Sequence, residues 1–161
     1  SLKAQASKLI NTSNLSNYEL KREISKCFAA DHTTEFLVTA VSFGFKHGIP
    51  IDADLLFDVR FLPNPYYVDG LRECSGNDQA VVEYLNRWPQ THEFYQHFFS
   101  FIKYLLPNYR REGRSNLVIA IGCTGGRHRS VAVTNALGDF VRGLGYKVLV
   151  EHRDLQNAKA V

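Results

Sequence analysis

A cysteine, an arginine six residues further on and a serine directly after it stand in the segment Gly122-Cys123-Thr124-Gly125-Gly126-Arg127-His128-Arg129-Ser130. This is the spacing of a loop that cleaves phosphate esters through a thiolate. Cys123 would attack phosphorus, the loop N–H groups would cradle the phosphoryl group, and Arg129 would grip its equatorial oxygens. A helix N-terminus and nearby arginines lower a thiol pKa, and Ser130 can donate a hydrogen bond to the sulfur. The chemistry also needs a general acid, for which Asp52, Asp54 and Asp58 are unranked candidates. The same donors hold an anion without cleaving it. In that reading Cys123 is a small buried residue, and Thr124, Gly125, Gly126, Arg127, His128, Arg129 and Ser130 surround the ligand. Gly122 favours holding over cleaving, because cysteine phosphatases usually carry His there. A third reading makes the glycines a tight turn and nothing more, but Arg127, His128 and Arg129 are a dense cluster for an idle loop.

Two other segments supply groups of matching chemistry. In Ser42-Phe43-Gly44-Phe45-Lys46-His47-Gly48 the cations Lys46 and His47 sit between glycines, so backbone can approach a ligand there. Phe43 and Phe45 are expected in the core, although Phe45 could instead stack on a base. In Asp58-Val59-Arg60-Phe61-Leu62-Pro63-Asn64-Pro65-Tyr66-Tyr67 the charged Asp58 and Arg60 share one face of a strand. They either pair with each other or free Arg60 for the anion, while Asn64 and Tyr66 beside rigid prolines line a sugar-sized pocket. His152-Arg153 adds charge near the far end and is expected to be a solvated tail. No Gly-x-x-x-x-Gly-Lys-Ser/Thr segment occurs, so ATP or GTP is not expected on this chain. The expected ligands are phosphate, sulfate or a sugar phosphate, with no metal, since the six histidines and three cysteines show no zinc-type spacing.

These groups need a scaffold that brings them together. The apolar run Leu117-Val118-Ile119-Ala120-Ile121 predicts a buried strand directly before the loop. Val133, Leu137, Phe140, Val141 and Leu144 predict a helix of about four turns after it. Tyr146-Lys147-Val148-Leu149-Val150 predicts the next strand. A strand, a phosphate loop, a helix and a strand form a βαβ unit, with the loop at the carboxyl end of a strand, where open α/β sheets bind ligands. Further strands are predicted over 36–43 and 55–61, and helices over 77–87 and 91–106, the last stopping before Pro107. The fold class is therefore α/β, a single sheet with flanking helices. Helix 91–106 carries two aromatic stripes, Phe94, Phe98, Phe101 with Leu105, and Tyr95, Phe99 with Ile102 and Leu106. They mark a core helix, or one that also forms a dimer interface. Residues 1–34 hold too few apolar positions for a core, with a helix expected from Asn17 through Phe28 and a linker at Asp31-His32-Thr33-Thr34. They are expected to be the end of a preceding domain or an arm, with the main body at 35–161.

The chain has 161 residues, 45% of them hydrophobic and 12% aromatic, with a formal net charge of +3. That is a folded composition whose mild basicity permits an anionic partner without requiring one. No apolar run reaches membrane-spanning length. Ser1-Leu2-Lys3-Ala4-Gln5 lacks the apolar core of a signal peptide. Cys27, Cys74 and Cys123 are odd in number and far apart, as expected of reduced thiols. The expectation is a cytoplasmic protein.

Three segments, Ser42 to Pro50, Phe57 to Pro65 and Ala120 to Val131, together resemble the C-terminal domain of the RapZ/YvcJ family over about residues 35–155. Residues 8–30 resemble the end of that family's N-terminal domain, which carries its Walker-type ATP/GTP site; the resemblance thus implies a C-terminal portion. It also implies a regulatory adaptor rather than an enzyme. Characterised members bind small regulatory RNA, present it to an endoribonuclease and sense glucosamine-6-phosphate, a phosphorylated amino sugar. Carried over by motif, Thr124, Gly125, Gly126 and Arg129 with nearby Tyr66 would hold the sugar phosphate. Lys46, His47, Arg127, Arg129 and Arg153 would contact RNA. Self-association into a homo-oligomer is expected too. Relatives with the RNA role can carry His where this chain has Tyr66, and they end in a run of Lys and Arg. This chain ends Gln156-Asn157-Ala158-Lys159-Ala160-Val161, and in both respects resembles the YvcJ-like branch.

Overall fold

The apolar run Leu117 to Ile121, extended to Asn116–Cys123, forms the strand before the loop, and seven of its eight residues are buried. A computed structural model describes residues 36–156. Within it, four strands, β1 (Leu37–Gly44), β2 (Leu55–Asp58), β3 (Asn116–Cys123) and β4 (Lys147–His152), make one parallel sheet in the order β2-β3-β1-β4. Three helices complete it: α1 (Gln79–Asn86), α2 (Pro89–Arg111) and α3 (Arg129–Gly143). The expectations for residues 1–34, including the helix from Asn17 through Phe28, and for the last five residues lie outside the described residues. Among the described residues, no helix is long and apolar enough to cross a membrane.

Parallel strands need long crossovers, and helices supply two of them. One face of the sheet presents Val38 and Ala40 from β1 and Leu117, Ile119 and Ile121 from β3. These pack against Phe98, Ile102 and Leu106 of α2 and Val133, Leu137 and Val141 of α3. The aromatic rings join the layers: Phe57 meets Phe98 edge-on at 4.8 Å, and Phe99 stacks on Phe140 at 4.5 Å. α3 lies close on β4, where a Cβ on Gly138 would come within 2.5 Å of Val150. The other face holds a smaller cluster of Val41, Phe43, Val118 and Ala120, covered by Phe45 and Ala53.

Two element boundaries differ from those predicted. The strand expected over 55–61 ends at Asp58, although the Val59 N–H still donates to the Gly122 carbonyl at 2.9 Å. There the chain turns inward, burying Val59 and Leu62 under the sheet edge. The long helix does not stop before Pro107; it runs through it to Arg111. Proline removes one backbone donor from a helix. The carbonyl that loses its donor belongs to Lys103, an exposed residue, and the fully buried Leu106 anchors that turn in the core.

The register places Gly44, the last residue of β1, beside Cys123, the last of β3. Both chains leave the sheet at the same edge, so the two loops must pack on each other. The Lys46 N–H donates to the Thr124 carbonyl at 3.2 Å. A Cβ on Gly44 would lie 2.4 Å from the Gly125 carbonyl carbon, which explains glycine at that position.

Candidate anion-binding site

Above the carboxyl ends of β1 and β3 the loop 124–128 bends back before α3 begins. Gly126 has φ +77, and its Cα sits so close to the Gly44 nitrogen that a Cβ would approach to 2.7 Å. Only glycine takes that backbone angle and that space without strain. Among the described residues, the backbone N–H groups of Thr124, Gly125, Gly126 and His128 have no acceptor. Four unclaimed donors before a 15-residue helix are the donor set that an anion would need.

The loop borders a cavity of about 500 Å³. Of the positions singled out from sequence, Lys46, Asn64, Tyr66, Cys123, Thr124, Gly125, Arg127, His128 and Arg129 line it. Tyr67, Arg72 and Glu73 line it as well and were not anticipated. Their segment carries no motif; only the cation at Arg72, just after the Pro-rich turn, hinted at it. Asn64 caps that turn, its side chain accepting from the Tyr66 N–H at 3.1 Å. Arg72 donates to the Tyr66 carbonyl at 3.2 Å and stacks over the Tyr66 ring at 4.9 Å.

Arg129 is the deepest cation, 6% exposed. Its Nη1 donates to the carbonyls of Arg60 at 2.6 Å and Leu62 at 3.1 Å, and its Nη2 faces the Thr124 hydroxyl at 3.5 Å. These partners are neutral. Among the described residues, no carboxylate pairs with this guanidinium, and burial draws its pKa down. A buried cation without a counter-charge is costly unless an anion completes the site.

The other basic groups are committed differently. Arg127 donates through Nε to the Cys74 carbonyl at 2.8 Å and through Nη2 to the Glu73 carbonyl, stitching the 71–76 segment to the loop. His128 is buried with Nε2 at 3.0 Å from the Leu71 carbonyl and 3.2 Å from that of Arg72. Facing two carbonyl acceptors, Nε2 carries the proton. Burial holds the His128 pKa below the ordinary 6.5, against the opposing pull of those carbonyls.

Several positions fall elsewhere. The Arg60 guanidinium does not line the cavity: it is chelated by Asp58 at 2.7–3.0 Å and lies over the Phe45 ring at 4.1 Å. Of the two sequence alternatives, pairing prevails, and Arg60 serves the site through its carbonyl. Phe45, covered by Arg60 and packed edge-on against Phe43 at 4.9 Å, belongs to the small core cluster. Gly126 and the fully buried Ser130 lie beneath the cavity, and His47 stays exposed outside it. The His152–Arg153 end is not a solvated tail. Ser42 bonds His152 at 2.8 Å, and Arg153 reaches the Gly48 carbonyl at 2.5 Å and pairs with Asp154 at 2.7 Å. Asp154, 2% exposed, accepts the Gly44 N–H at 2.8 Å. Although burial opposes it, these bonds hold its carboxyl below the usual range.

The geometry is poor for phosphate cleavage. Cys123 Sγ does lie 3.1 Å from Ser130 Oγ, and Cys123 lines the cavity. A general acid, however, does not present itself among the three aspartates considered. Asp58 is held ionised by its hydrogen bonds from Arg60. Asp54 is tied to the Val118 N–H and Arg114, toward the amino end of β3. Asp52 does not line the cavity. A phosphatase-type His cannot replace Gly122 either, since its Cβ would meet the Phe43 and Phe45 rings at 2.4–2.8 Å. Among the described residues no cluster of His, Cys, Asp and Glu is arranged to hold a metal ion.

The sequence compares directly with known proteins. A family model described as the RapZ C-terminal domain matches residues 36–156, which are also the residues of the sheet, its helices and the anion loop. The chain belongs to the RapZ C-terminal domain family. It is 50% identical over 156 residues to a nucleotide-binding protein of Halothermothrix orenii, covering 96% of this chain and 55% of that protein. It is 51% identical over 151 residues to a nucleotide-binding protein of Caldanaerobacter subterraneus, covering 93% of this chain and 53% of that protein. A nucleotide-binding protein of Limosilactobacillus reuteri is 48% identical over 158 residues, covering 98% and 54%. The chain spans about half the length of these relatives, whose names describe nucleotide binding and not a catalysed reaction. This RapZ C-terminal domain holds its loop, its cavity and its buried arginine within the matched residues.

Proposed function

We propose that this domain is the ligand-sensing part of a regulatory adaptor, and that its cavity binds a phosphorylated amino sugar such as glucosamine-6-phosphate. The observation that carries the reading is Arg129, a buried guanidinium bonded only to neutral oxygens beside four free amides. The phosphate sits on Arg129 and the amides of Thr124, Gly125 and His128. The sugar extends toward Asn64 and Tyr66. A phosphate at such a nest gains charge-assisted hydrogen bonds without reorganising the protein.

Small regulatory RNA meets the same opening through its backbone charge, with Lys46 and His47 as exposed contacts. Arg127 and Arg153 act less directly, shaping the rim through their internal bonds. An endoribonuclease is the recipient of the presented RNA. In this reading the domain is not an enzyme, and the ATP/GTP site belongs to the other half of the family's chains.

Isothermal titration tests this. Glucosamine-6-phosphate should bind one per chain, and Arg129→Gln should weaken it at least tenfold, the scale of one charge-assisted hydrogen bond. Equal affinity of the variant would defeat the proposal. RNA affinity undiminished at saturating sugar phosphate would remove the shared-site element.

A further inference from the structure

The cavity wall carries one acid among its bases. Lys46, Arg72, Arg127 and Arg129 line it, and Glu73 is the single carboxylate beside them among the described residues. A carboxylate at a phosphate site repels the phosphate and lowers its affinity. Among the described residues nothing cancels that charge: Glu73 belongs to none of the ion pairs, and its carboxylate accepts no hydrogen bond. The cations nearest to it are aimed at neutral partners. Arg72 donates to the Tyr66 carbonyl at 3.2 Å and lies over the Tyr66 ring. Arg127 directs Nε and Nη2 to the carbonyls of Cys74 and of Glu73 itself.

The backbone under this carboxylate is fixed to the loop. His128 Nε2 meets the Leu71 and Arg72 carbonyls at 3.0 and 3.2 Å, Arg127 takes those of Glu73 and Cys74, and the Gly76 N–H donates to the Arg127 carbonyl at 2.9 Å. Residues 71–76 are thus held by the two residues that lead into Arg129. These bonds set where the acid stands relative to the phosphate donors, and only its side-chain torsions are left to adapt. Given the reading of the cavity as a sugar-phosphate site, on which this rests, we propose that Glu73 receives the ammonium group of the phosphorylated amino sugar and decides which sugar phosphate the cavity accepts. A ligand with phosphate at one end and ammonium at the other meets both signs of the wall. A hydroxyl in place of the ammonium leaves the carboxylate facing a phosphate with no counter-charge. An N-acetyl group puts a larger neutral amide there. One residue therefore favours the amino sugar and rejects both analogues. Glu73 is exposed, so solvent and salt screen its pair with the ammonium. The discrimination is a factor of several, about fivefold, and not of thousands.

Isothermal titration of the whole 161-residue chain with glucosamine-6-phosphate, glucose-6-phosphate and inorganic phosphate is the test. The parent should prefer glucosamine-6-phosphate to glucose-6-phosphate about fivefold. Glu73→Gln should erase that preference by moving the affinities in opposite directions. The amino sugar binds more weakly, while glucose-6-phosphate and inorganic phosphate bind more tightly, because they lose a repulsive neighbour. Glu73→Lys should invert the preference. Circular dichroism melting confirms that both variants are folded. A folded variant that loses all three ligands together has lost a structural contact and not a reader of charge, and that result overturns the proposal. So does a variant with all three affinities unchanged, or a parent that binds the two sugar phosphates equally while still binding them. Failure of the sugar-phosphate reading looks different: the parent then binds neither sugar phosphate, and this inference falls with it.

Discussion

Arg129 Nη1 lies 2.6 Å from the carbonyl oxygen of Arg60, while the Arg60 guanidinium turns outward to Asp58. The two arginines divide the work. Arg60 neutralises the only one of the three candidate acids that lies close to the site, and its backbone aims Arg129. Arg129 keeps its charge for whatever enters the cavity. Removing it should therefore cost ligand far more than fold. We expect Arg129→Gln to reduce glucosamine-6-phosphate and inorganic phosphate affinity by a similar factor, at least tenfold. Titration of both ligands checks whether the loss follows the phosphate and not the sugar.

Gly44→Ala should disturb the loop from below. Its Cβ would meet the Gly125 and Gly126 backbone at 2.4–2.8 Å, and neither strand can move aside without breaking the register. Overpacking of this kind costs about 1–3 kcal/mol. A lowered denaturant midpoint together with weaker phosphate binding is expected, whereas Gly143→Ala, which meets nothing within 4 Å, should leave binding unchanged.

Acidification should destabilise the domain through two histidines. Burial holds both His128 and His152 below their ordinary 6.5, so the folded state favours the neutral rings. The unfolded chain then binds more protons as pH falls below that value, and stability is lost in that direction. Their contribution is fully present above pH 6.5 and declines as pH drops through the lowered folded values. Urea melts between pH 7.5 and pH 5 should show the decline, and His152→Asn should flatten it; an unchanged slope in the variant would count against this origin.

Cys123→Ser separates holding from cleaving. The thiol bonds only Ser130, and the substitution changes little volume. Ligand affinity should stay within about threefold, as expected of a near-isosteric change. Neither form should hydrolyse an aryl phosphate. Turnover by the parent that the variant lacks would restore the nucleophile reading.

Much of the scaffold was legible because its signals are local. An apolar run, a glycine loop and a helical stripe around 117–144 are consecutive in the chain, and each obeys a short-range rule. Boundaries failed where distant packing overrode the local rule. Pro107 reads as a stop, but Leu106 on one side of it is anchored in the core and holds the helix together through that turn. The strand at 55–61 reads as continuous, but burial of Val59 and Leu62 bends it after Asp58.

By itself the sequence determined that a glycine-rich, basic loop of Thr124, Gly125, Gly126, Arg127, His128 and Arg129 stands between a buried strand and a helix. Type and spacing along one chain suffice for that, since backbone donors and helix dipoles follow from local geometry. Only the tertiary structure decided which charges remain available. Whether an arginine lines an open cavity, as Arg129 does, or is spent on a carboxylate, as Arg60 and Arg153 are, depends on partners supplied by register and folding. Tyr67, Arg72 and Glu73 entered the cavity wall for the same reason: Arg127 and His128 grip their segment's carbonyls from more than fifty residues away. Long-range hydrogen bonds leave no periodic mark in a sequence, because each joins positions that neither local geometry nor composition relates.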